Sequence, residues 1–121
     1  MKRVINQDAI LGMANLNPRR TNLPVIIWAD HNGVDRSVSH RNSPRIKISK
    51  DEHSVSVSIE EHPRILARTN DIPQNVMTMI QEGIDYVARN YDIFLKHYLD
   101  NDFSFDDDDL KEALRERGDY K

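Results

Sequence analysis

The sequence predicts an α+β fold: an antiparallel four-stranded meander packed by one long helix, with a short C-terminal helix. Two observations carry this. Between residues 45 and 68, apolar residues alternate with polar ones in short runs joined by short linkers, the pattern of neighbouring antiparallel strands. From residue 71 the period changes, and Val76, Ile80, Ile84, Val87, Tyr91, Phe94 or Leu95, and Tyr98 recur every three or four residues, as on one helical face. At 121 residues the chain suits a single domain. We divide it into an arm (1–23), the meander (24–68), the long helix (71–100) and the last helix (104–118).

In the arm, Ala9–Ala14 suggests a short helix that Asn17-Pro18 ends, because the residue before proline avoids helical backbone. Val25-Ile26-Ile27-Trp28-Ala29 reads as a strand buried on both faces, with Trp28 a core residue. In Arg45-Ile46-Lys47-Ile48-Ser49 the isoleucines face the core, and Arg45 and Lys47 face water or a ligand. In the run 54–60, Val55, Val57 and Ile59 point inward and the serines outward. Arg64-Ile65-Leu66-Ala67 is the fourth strand.

Asp71 is expected to cap the long helix, with Gln74 as its box partner. Gly83 marks either a close approach to the sheet or a weak point. Ser104 is expected to cap the last helix. Asp106–Asp109 fill its first turn, where the helix dipole favours negative charge, and Asp107 pairs with Lys111. Leu110, Ala113 and Leu114 give it a narrow apolar edge, and Gly118 ends it.

Charge is segregated. Residues 1–50 hold nine Lys/Arg against three Asp/Glu, and residues 51–121 hold eight against seventeen. Such a layout selects partners electrostatically or pairs with itself. There is no cysteine, which removes disulfides and thiolate chemistry and fits a cytoplasmic protein. No apolar run is long enough for a membrane helix. The four glycines are scattered, so no phosphate loop or dinucleotide fingerprint is present.

Five histidines show no metal-ligand spacing, so neither cofactor nor stoichiometric metal is expected. His97 falls off the main stripe and is expected to be exposed. Aromatic residues gather on the long helix, so no basic sheet with interleaved exposed aromatics is legible.

The stretch from Asp30 to Pro44 has no evident element, and loops of that length are disproportionately functional. Its Arg36, His40 and Arg41, followed by Arg45 and Lys47, are the donors that hold phosphates and carboxylates. These five are the candidate ligand-binding residues.

Asn17-Pro18-Arg19-Arg20-Thr21-Asn22-Leu23-Pro24 runs into Ile27-Trp28. His40 precedes Pro44-Arg45-Ile46-Lys47-Ile48, and Ser58-Ile59 precedes Pro63. Asn90 and Leu95-Lys96-His97-Tyr98 come before an acidic stretch and a last helix. Together these motifs resemble a loose group of small uncharacterised proteins of bacteria, phages and mobile elements. The resemblance runs from near Asn17 to near Arg115, with Tyr98 where the group carries tryptophan. It implies strands followed by helices and an accessory role in a phage or mobile element.

The functional expectation is a small non-enzymatic binding protein, an inhibitor or sponge. It would recognise an anionic ligand (a nucleotide or nucleic acid) or a host protein through the basic loop. Two alternatives stand beside it. One is a metal-independent hydrolase or nuclease using His31, His40 and an acid. The other is a regulatory interaction module acting through the acidic C-terminal end. A homodimer is expected, with the last helix or an edge strand exchanged or docked between copies.

Overall fold

The structure, a computed structural model, describes residues 14–29, 44–100 and 102–121. Its order is β1 (Ala14–Leu16), α1 (Pro18–Thr21), β2 (Ile26–Ala29), β3 (Arg45–Lys50), β4 (His53–Ser58), β5 (Ile65–Arg68), α2 (Gln74–Arg89), α3 (Tyr91–Leu99) and α4 (Asp107–Glu116). The strands form one antiparallel sheet in sequence order, β1-β2-β3-β4-β5. No helix among the described residues is long and apolar enough to cross a membrane.

The α+β class and the meander match the sequence expectation, with a fifth strand added at the N-terminal side. Ala14 is in that strand and not in a helix; residues 9–13 lie outside the described residues. Ala14 and Leu16 are buried beside β2, where Ala14 pairs with Ala29 and Leu16 with Ile27. The side chain of Asn17 then accepts the Arg19 N–H at 2.8 Å and starts α1, with Pro18 in the first turn, where a missing N–H costs nothing.

Alternation sets which face closes. Ile27, Ala29, Ile46, Ile48, Val55 and Val57 are all buried beneath α2. A Cβ built on Gly83 of α2 would lie 2.8 Å from Ile48 Cγ2 and 2.9 Å from Val25 Cγ2. Gly83 therefore marks a close approach of helix to sheet. Among the described residues, the strand at Val25–Ala29 is closed on this face, while Ile26 and Trp28 stay half-buried on the other.

The long helix is two helices. Asn90 is fully buried at the break. Its Nδ2 donates to Tyr86 O at 3.1 Å and to Asp119 Oδ2 at 2.9 Å. Ile93 and Phe94 N–H groups both turn to Asn90 O, so α3 starts afresh there. The break gathers the C-terminal segment: Arg89 makes two bonds to Asp119 at 3.1 Å each, and Tyr86 Oη donates to Asp119 O at 2.8 Å.

Asp71 does not cap α2. It has φ +57°, and the helix starts at Gln74 after Pro73 without a side-chain cap. The cap of α4 is Asp106 and not Ser104. Asp106 and Asp109 exchange side chain-to-backbone bonds as a capping box, while the Ser104 hydroxyl donates to Asp100 Oδ1 at 2.9 Å. Gly118, at φ +80°, ends α4: its N–H donates to Arg115 O, and Asp119 N–H to Leu114 O, the paired bonds of a left-handed helix stop.

His97 is buried, contrary to expectation, with its side chain 1% exposed. It follows Ile93 and Phe94 by one helical turn on the buried side of α3, and its Nε2 lies 2.8 Å from Asp107 Oδ1. Asp107 thus pairs across to α3. Leu110 and Leu114 are fully buried, and the first turn of α4 meets α3 of the same chain through the Asp107–His97 contact.

The tail network sets an acid limit on stability. Hydrogen bonds from Arg117 hold Asp92 below its ordinary value. Burial alone would raise Asp119, but bonds from Arg89 and Asn90 outweigh it and lower the carboxyl. Both groups titrate lower folded than unfolded. Their stabilisation is present above the unfolded value of 3.8 and is lost as pH falls through the folded values. Thermal melts should show the transition temperature falling below about pH 4. Arg117→Ala should remove part of that dependence, and an unchanged slope would show that the Asp92 bond contributes nothing.

Candidate functional site

The face opposite α2 carries the candidate site. Cross-strand register builds one row of side chains on it: Asn15 opposite Trp28, Trp28 opposite Lys47, Lys47 opposite Ser56, Ser56 opposite Ala67. A second row is Ile26, Ser49 and Ser54, and a third pairs Arg45 with Ser58. Directly opposed side chains stand about 5 Å apart at Cβ, so Lys47 lies within reach of the indole.

Arg45 is half-buried and Lys47 exposed, both on the face the alternation assigned them. Arg36, His40 and Arg41, with His31, lie outside the described residues. Among the described residues of the strands, this face bears two cations and no carboxylate.

Trp28 was expected in the core. It stands on this second face, half-buried, and its Nε1 donates to Ser49 Oγ at 2.9 Å. That bond satisfies the indole N–H and draws the ring over β3. Around it Ser49, Ser54, Ser56 and Ala67 carry short side chains. Trp28 and Lys47 therefore rise from a low polar floor.

The Arg45 end of the face is held by a turn. Ser58 Oγ donates to the Glu60 carboxylate and accepts the Arg64 N–H at 2.8 Å. Arg64 Nε donates to Glu60 at 3.0 Å. The Ser58 and Arg64 bonds lower the Glu60 pKa, so this carboxylate is charged and already engaged. Ile59 N–H donates to Pro44 O at 3.1 Å, extending the β3–β4 pairing one step beyond Arg45 and fixing where the chain enters β3.

Two other places gather titratable groups. A recess of about 380 Å³ lies among Thr21, Asn22, Glu82, Asp85, Arg89 and Asp119, but its cation, Arg89, is bonded to Asp119. The His97–Asp107 pair has the composition of an acid–base dyad, yet the ring is sealed between α3 and α4, where no substrate reaches it. Among the described residues, no group of three or more His, Asp or Glu side chains is placed to hold a metal ion.

No protein-family model, curated protein or solved structure matches the chain.

Proposed function

We propose that this chain is a small non-enzymatic binding protein that takes an anionic ligand, a nucleotide or nucleic acid, on the sheet face bearing Arg45 and Lys47. The observation that carries the reading is the cationic row opposite α2, which has no described carboxylate among its strand residues. An anion there meets two cations and a floor of hydroxyls that donate hydrogen bonds. Arg36, His40 and Arg41, the other candidate residues, precede β3 in the sequence and lie outside the described residues. The resemblance to phage and mobile-element proteins makes an inhibitor or sponge the accompanying role.

Lys47 is exposed, so Lys47→Ala should leave stability unchanged. Calorimetry with nucleotides and oligonucleotides should show binding that weakens as salt rises, and that Lys47→Ala weakens about tenfold, the loss of one charge-assisted bond. No binding by the wild type, or equal binding by the variant, would remove this face as the site.

One observation favours the interaction-module reading. Leu99 is 51% exposed and Phe103 67% exposed, beside the acidic run Asp106–Asp109. That end would take a basic partner with an apolar contact, and Phe103→Ala would weaken it while leaving anion binding intact. A second copy of the chain would pair through a sheet edge, β1 or β5, since the apolar side of α4 is already used.

A further inference from the structure

We propose that the ligand of this face is single-stranded nucleic acid, with the Trp28 indole stacking on a base while Lys47 pairs with a neighbouring phosphate. The inference rests on the anion-binding reading above and adds the class of ligand. A phosphate or acidic side chain alone would use the cations and leave the aromatic idle. The structure instead puts the chain's one tryptophan directly across from an exposed lysine on the same face.

Three features make the indole a platform. It sits on the face that α2 does not cover. Its N–H is already bonded to Ser49, so stacking leaves no polar group unsatisfied and little ring motion to be lost on binding. The ring is half-buried between its cross-strand partners Asn15 and Lys47, and beyond Lys47 the row continues in the short side chains of Ser56 and Ala67. Every base has a π face, so such a platform accepts any sequence, while a lysine beside it tracks the backbone. A duplex hides its bases in the stack, and a sheet face this broad does not enter a groove as a single helix or ribbon does. Unstacked bases are what the surface can hold.

The single tryptophan also supplies the readout. Oligothymidylate should quench Trp28 emission on titration into the full chain. In anisotropy measurements with labelled oligothymidylate, Trp28→Leu should weaken binding about tenfold, the loss of one base–aromatic stack, and Trp28→Phe should recover part of it. Inorganic polyphosphate, which has charge and no bases, should bind more weakly and be indifferent to Trp28→Leu. Lys47→Ala should weaken both ligands.

If polyphosphate or poly-glutamate binds as tightly as oligothymidylate and neither Trp28 variant matters, the stacking inference fails while anion binding stands. If duplex DNA binds more tightly than the single strand, the assignment of ligand class is wrong. If no anion binds the wild type, the anion-binding reading itself fails. Circular dichroism of each variant separates a lost platform from a lost fold, and Trp28→Phe keeps the test open should Trp28→Leu unfold.

Discussion

Gly83→Val is expected to destabilise the fold by about 3 kcal/mol, mainly through overpacking. The Cβ alone would stand 2.8 Å from Ile48 Cγ2, 2.9 Å from Val25 Cγ2 and 3.4 Å from Ile27 Cδ1. The first two are methyls fixed on β-branched side chains, which have one preferred rotamer and no long stem to swing aside. Alanine would gain about 1 kcal/mol of helix propensity over glycine, which offsets part of the same clash. Gly83→Ala should therefore cost less than Gly83→Val, and urea denaturation should order the three proteins accordingly. A valine variant as stable as the wild type would mean that α2 does not lie this close to β2 and β3. The consequence reaches the proposed site, because this contact sets which face of the sheet α2 covers.

Leu110→Ala is expected to lose about 3 kcal/mol, from transfer of the removed methyls plus the cavity left behind. Leu110 is fully buried on a helix whose first turn also bonds His97. Loosening α4 should therefore weaken the Asp107 contact as well. Because the helix docks on its own chain, the loss should be the same at low and high protein concentration. A stability that recovers with concentration would point to α4 exchanged between copies.

The strands at Arg45–Lys50 and His53–Ser58 were legible because polar and apolar residues alternate there, and that alternation also placed Arg45 and Lys47 on the outer face. The strand before them hid its orientation. Val25, Ile26, Ile27, Trp28 and Ala29 are all apolar, so nothing local tells which side faces out, and the sequence alone assigns Trp28 to the core. Register against Lys47 decided it. The break at Asn90 was equally hidden, since the periodicity runs through it; its cause is Asp119, 29 residues further on. His97 misled for a related reason. A stripe counts one face of a helix, and this ring is buried by a second helix that meets it from the side. Gly118 needed no tertiary knowledge, because a left-handed stop after a last turn with basic residues is a local signal. At the site, the sheet cations could be read from the sequence. The aromatic beside them required the fold.

The most direct test of the ligand face is to map backbone and indole amide shifts as oligothymidylate is added to the labelled protein. The changes should concentrate at Trp28, Lys47, Ser49 and Ser56, including the Trp28 indole N–H, and leave Leu99, Phe103 and Asp106–Asp109 unmoved. Changes confined to the acidic end, or none on the sheet, would contradict the sheet face as the site.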